Sequence, residues 1–90
     1  MPEEVIFEDE RVMTRADVAS YLRTVADRLD AGESLTLETG TDSVTVDVPN
    51  DVEFEVKVER EGPADGPGEL GLELELEWDE GATDDSLSIR

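Results

Sequence analysis

Between Met13 and Gly32 the apolar positions Val18, Leu22, Val25 and Leu29 recur at i, i+4, i+7 and i+11, with Tyr21 and Ala26 beside them. That spacing lays a single apolar stripe along an α-helix. The ends are marked as well. Thr14 stands at the N-cap position, and Asp17 follows three residues later as a shortened capping box. Met13 and Val18 occupy the staple positions either side of the cap, and Gly32 suits a left-handed C-cap. After Gly32 the period drops to two. Leu35 and Leu37; Val44, Val46 and Val48; Val52, Phe54, Val56 and Val58; and Leu70, Leu72, Leu74, Leu76 and Trp78 each alternate with polar residues. Each run predicts a strand with one apolar face. Val5 and Phe7 also alternate and can add a short strand at the N-terminus.

The connections set the topology. Thr39-Gly40-Thr41-Asp42 and Pro49-Asn50-Asp51 are hairpin-like, and Glu61 to Gly68 is a longer Gly/Pro loop. The expected architecture is therefore α+β: a two-layer sandwich, with one amphipathic helix packed on a four-stranded antiparallel meander. A single domain spans residues 4–80, and the patternless stretch 81–90 is a frayed tail. In the last hairpin, apolar parity allows registers that differ by two residues. One sets Lys57 opposite Glu73, Val52 opposite Trp78 and Gly71 opposite Glu59. The neighbouring register sets Glu59 against Glu69 and leaves Lys57 facing Gly71, so the first is preferred on charge.

Composition changes the picture in one respect above all. Twenty-six acidic residues against seven basic ones give a net charge of −19 in 90 residues. High charge with modest apolar content normally signals disorder, yet disordered chains do not carry clean strand and helix periods. Lysine occurs once, at Lys57, and valine is prominent among the apolar residues. These features fit a folded domain adapted to molar salt, where the Debye length shrinks to ~3 Å and self-repulsion is screened. The acidity argues against direct nucleic-acid binding, which needs a basic footprint. The N-terminus lacks a basic leader, and no apolar run is long enough for a membrane span, so a cytoplasmic protein is expected.

The chemistry on offer is narrow. The chain has no cysteine and no histidine, which removes the commonest nucleophile–base pairs and the commonest metal ligand. Glu53, Glu55, Glu73, Glu75 and Glu77 should share the outer sheet face, with Glu38 and Asp47 nearby. A calcium site needs six to eight convergent oxygens, and a flat sheet presents its carboxylates in parallel. A catalytic carboxylate pair needs a dry, concave pocket to separate its pKa values. No catalytic residue, cofactor site or metal site is therefore expected, and the comb reads as a solvated face. Trp78 has the parity of Leu72, Leu74 and Leu76, which makes it a core anchor in place of an exposed contact. Ser20, Arg23, Thr24 and Asp27 face outward by helical phase. Residues 11–30 balance four Arg against three Asp, while residues 61–90 set ten acids against one Arg. This least acidic surface is the candidate partner site.

The run from Glu69 to Trp78, "ELGLELELEW", resembles the defining feature of the amphi-Trp domain family, an amphipathic strand that finishes in tryptophan. The preceding helix and the "VDVP" turn are similar to that family in the same order, over roughly Val5 to Asp79. The resemblance implies a fold common in halophilic archaea, without an assigned activity and without catalytic residues to carry over. The functional expectation is a non-enzymatic interaction module that binds another protein through the helix outer face or a sheet edge. The alternative is small-molecule or cation binding on the acidic outer face. The oligomeric state is left open.

Overall fold

The computed structural model describes residues 3–81 of the chain. It is an α+β protein with one helix, α1 (Arg15–Ala31), and four strands, β1 (Leu35–Glu38), β2 (Ser43–Val46), β3 (Glu53–Glu61) and β4 (Glu69–Glu77). Backbone contacts divide it into two compact units, Met1–Val48 and Pro49–Arg90.

The first unit begins with the helix that the apolar stripe predicts. The Thr14 side chain accepts from the Asp17 amide at 3.1 Å, and its carbonyl accepts the first helical bond from Val18. A cap of this kind contributes about 1 kcal/mol. The helix stops at Gly32, which takes φ 68°. There the Gly32 amide donates to the Leu29 carbonyl, and the Glu33 amide to that of Arg28. This pair of bonds is the Schellman arrangement, and it satisfies carbonyls that the helix end would otherwise leave open. Arg28 in the last turn also suits the negative end of the helix dipole and pairs with Glu33.

β1 and β2 then form a hairpin with Leu35 opposite Val46 and Leu37 opposite Val44. On its other side the Thr36 and Thr45 hydroxyls meet at 2.9 Å. The turn is held by Thr39. Its amide donates to the Asp42 carbonyl at 2.8 Å, and its hydroxyl accepts from the amides of Thr41 and Asp42. Ser34 closes the open end by donating to the Asp47 carboxylate. The strand expected around Val5 and Phe7 is not formed, although Phe7 is half-buried. Only two apolar positions alternate there before Glu8, Asp9 and Glu10, too few to hold a ladder.

The second unit is a hairpin of two nine-residue strands. Its register runs from Glu53 opposite Glu77 to Glu61 opposite Glu69, with Lys57 opposite Glu73 and Glu59 opposite Gly71. That is the register preferred on charge, and Val52 and Trp78 fall one step beyond its last pair. The loop is tighter than a plain Gly/Pro connection. Gly62 takes φ 135°, and a Cβ on Gly68 would lie 2.3 Å from the Glu61 carbonyl oxygen. The Arg60 guanidinium ties the loop together by donating to the carbonyls of Pro63 at 2.8 Å and Gly66 at 2.6 Å.

One expectation needs correction. The pairing gives two two-stranded sheets, β1–β2 and β3–β4, and no four-stranded meander is formed among the described residues. β2 ends at Val46 and β3 starts at Glu53, and the intervening segment contains Pro49, which has no N–H to give to a ladder. Among the described residues none is fully buried. The predicted tail lies outside the described residues from residue 82 onward.

Candidate functional site

Three surfaces are built by these elements. The first is the acidic comb. Because side chains alternate along a strand, Glu53, Glu55 and Lys57 of β3 share one face with Glu73, Glu75 and Glu77 of β4. Glu55 lies directly opposite Glu75, and Glu53 directly opposite Glu77. Lys57 is the one cation on this face. Its Nζ lies 3.1 Å from Glu59 and 3.7 Å from Glu73. The hydrogen bond to Glu59, and then the charges of Glu59, Glu73 and Glu55, raise the Lys57 pKa. At the far end no cation intervenes. Glu77 shares a side-chain hydrogen bond with Glu75 and feels the charges of Glu75, Glu53 and Glu55, so its carboxyl is held above its ordinary pKa. The comb is an accumulation of repulsion relieved at one end by a lysine. Among the described residues, no three carboxylates come together in a way that holds a metal ion.

The second surface is the opposite side of the same hairpin. Phe54, Val56 and Val58 of β3 pair with Leu76, Leu74 and Leu72 of β4, and Arg60 pairs with Leu70. Most of these side chains are exposed. Trp78 follows directly after β4 and is half-buried, in a depression with Val52, Leu76 and the carboxylates of Asp51, Glu53, Glu77 and Asp79. Val52 and Leu76 are the apolar residues beside the indole. The acidic rim was not foreseen.

The third surface is a cleft of about 550 Å³ in the first unit, bounded by the N-terminal segment, α1 and β1. Phe7 and Met13 line it with Tyr21, Val25 and Leu35. Two arginines reach it, and both are already paired. Arg11 grips Asp9 through two bonds of 2.7 and 2.9 Å, and Arg28 is paired with Glu33. The Arg11 hydrogen bond lowers the Asp9 pKa. Sequence reasoning did not group these residues. The available signal was the Asp9–Arg11 spacing, which puts both side chains on one side of an extended segment.

The candidate partner surface on α1 is placed as follows. Ser20, Arg23, Thr24 and Asp27 are all exposed. The Thr24 hydroxyl turns back to its own helix and donates to the Ser20 carbonyl at 3.3 Å, and the residue also lines the cleft. No ion pair joins Arg23 or Asp27 to another described residue. No described helix is long and apolar enough to cross a membrane.

No curated protein and no solved structure matches the chain. The family model of the amphi-Trp domain matches residues 1–90. That span takes in the capped helix, the Pro49 turn and the Leu–Glu strand that runs into Trp78, and the chain belongs to the amphi-Trp domain family.

Proposed function

We propose that this chain is a non-enzymatic interaction module of a salt-rich cytoplasm, and that it takes an extended segment of another protein onto the free edge of β4. The observation that supports this reading is the pairing of β3 and β4. Each pairs with the other over nine residues, in a sheet of two strands only. The outer edge of such a strand offers unpaired N–H and C=O groups, the template for strand addition. The comb adds selectivity. On the acidic face β4 presents Glu73, Glu75 and Glu77, and on the other face Leu72, Leu74 and Leu76. A neighbouring strand that alternates basic and apolar residues complements both faces, because opposite charges side by side stabilise a sheet. The helix surface of Ser20, Arg23, Thr24 and Asp27 is a second contact for a larger partner. Absence of His and Cys from the sequence supports a binding role over a catalytic one.

The competing reading places a cation or small molecule on the comb, and the raised Glu77 pKa favours it, since a crowded carboxylate welcomes positive charge. One titration separates the two. In molar KCl, a blocked eight-residue peptide alternating Lys and Val should slow amide exchange at alternate residues of β4. Binding that vanishes at molar KCl, or leaves β4 exchange unchanged, would count against strand addition. Saturable binding of Mg²⁺ or Ca²⁺ lost in the Glu75→Gln variant would favour the cation.

A further inference from the structure

We infer that Asp65 is a site of spontaneous backbone isomerisation, and that the isoaspartate formed there loosens the closure of the β3–β4 hairpin. The inference is independent of the strand-addition reading. All the groups involved lie within the second unit, between Arg60 and Gly68. Asp65–Gly66 is the one Asp-Gly pair in the sequence, and no Asn-Gly pair occurs. Such a pair marks a turn, and here it falls in the turn between Pro63 and Pro67. Isomerisation requires the Gly66 nitrogen to reach the carboxyl carbon of Asp65, and three features leave that path open. Among the described residues the Gly66 amide donates to no acceptor, so no bond has to break before it attacks. Among the same residues the Asp65 carboxylate enters no hydrogen bond or ion pair. Gly66 also has no Cβ to crowd the approach; one placed there would lie 3.3 Å from the Pro63 Cγ. Electrostatics adds to these. The Arg60 guanidinium sits 2.6 Å from the Gly66 carbonyl oxygen, and a cation that close favours loss of the Gly66 N–H proton as the nitrogen attacks.

The step balances without a co-reactant. The Gly66 nitrogen bonds to the Asp65 Cγ, the hydroxyl of the carboxylic acid leaves with the amide proton, and one water is released. Water then opens the succinimide. Attack at the main-chain carbonyl carbon of Asp65 breaks its bond to the Gly66 nitrogen, frees an α-carboxylate and routes the chain through the former side chain. Nothing is oxidised or reduced, and the final mass equals the starting mass. The consequence follows from two hydrogen bonds that straddle the site. The Arg60 Nη2 donates to the Pro63 carbonyl at 2.8 Å and to the Gly66 carbonyl at 2.6 Å. Isoaspartate inserts an extra backbone carbon between those two carbonyls, and a single nitrogen cannot follow both as they move apart. The ends of the loop have no slack to absorb the change. Gly62 stands at φ 135°, and a Cβ on Gly68 would lie 2.3 Å from the Glu61 carbonyl oxygen. The loss falls on the end of the ladder where Glu61 pairs with Glu69.

Ageing the full chain for weeks in warm molar KCl, followed by mass spectrometry with electron-transfer fragmentation, tests this, since that fragmentation tells isoaspartate from aspartate at each position. Isoaspartate should accumulate at Asp65 within a few-fold of its rate in a free peptide of residues 61–68. It should stay far lower at Asp42, which is followed by Ser43 of β2. Asp65→Glu should abolish the product, because the larger imide ring forms far more slowly. Separated by reversed-phase chromatography and refolded, the isoaspartyl chain should exchange the amides at the loop end of β3 and β4 faster than the fresh chain refolded in the same way, with exchange in α1 unchanged. Aspartate alone at position 65 after ageing, or isoaspartate forming more than tenfold slower than in the free peptide, would overturn the inference, because the fold would then shield the pair. As much isoaspartate at Asp42 as at Asp65 would overturn it equally. Isoaspartate at Asp65 with unchanged exchange in β3 and β4 would overturn the loosening.

Discussion

Replacing Glu75 and Glu77 by glutamine removes two carboxylates from the most crowded end of the comb. In the structure Glu75 faces Glu55, Glu77 faces Glu53, and Glu75 and Glu77 share a hydrogen bond. Directly opposed side chains in an antiparallel pair lie about 5 Å apart at Cβ. With a Debye length of ~10 Å at 0.1 M salt and ~3 Å at 1 M, the screened repulsion at that separation falls roughly threefold between the two conditions. The double substitution should therefore raise the melting temperature clearly at 0.1 M KCl and by about a third as much at molar KCl. The pH dependence has a definite sign. Glu77 holds its proton more firmly in the folded hairpin than in the unfolded chain. Its contribution is therefore stabilising below the ordinary carboxylate range and is lost as pH rises through the raised value. At low salt the wild type should gain from Glu77 as pH falls from neutral, and the double variant should lack that gain. Asp9 works in the other direction: its lowered pKa contributes stability above the usual aspartate range, lost as pH falls through the depressed value. Thermal melts by circular dichroism at two salt levels and several pH values would measure all of this. A lower melting temperature for the double variant at both salt levels would refute the reasoning and mark the carboxylates as groups that hold a ligand or a partner.

Gly68→Ala should destabilise the second hairpin by ~1–3 kcal/mol, the range for forcing an extra methyl group into filled space. The atom it meets is a backbone oxygen, which cannot swing aside. Gly71→Ala is the control, since a Cβ there meets nothing within 4 Å. Urea midpoints should separate the two, and equal shifts would show that the loop is not held as described. Trp78 should fluoresce between the enclosed and the fully solvated positions, and at low salt Cs⁺ should quench it more than I⁻, because Asp51, Glu53, Glu77 and Asp79 line its depression. Stronger quenching by iodide would place the indole elsewhere.

What could be read from the sequence is what short-range physics decides. The helix ends were legible because capping is settled within a few residues: Thr14 and Gly32 act on groups no further away than Val18 and Arg28. The β3–β4 register was legible because apolar parity leaves only alternate registers, and one lysine on an acidic face discriminates between them. The layering of the sheets was not, because whether β2 pairs with β3 depends on contacts across many residues, which no local pattern encodes. The cleft was missed for a related reason. Phe7 and Arg11 carry no periodic signal with Tyr21 or Leu35, and only the folded first unit gathers them. Arg60 shows the limit in a single residue. It breaks the apolar alternation of Phe54, Val56 and Val58, and in sequence it looks like the end of a strand. In the fold the strand continues to Glu61, and the guanidinium supplies the donors that the carbonyls of Pro63 and Gly66 accept. Those two carbonyls lie in a loop whose prolines have no N–H to offer, so a long side chain from the strand provides the hydrogen bonds instead. The exception to the pattern is therefore part of what closes the hairpin. That closure brings β4 back along β3 in the one register that spaces Lys57 between Glu59 and Glu73.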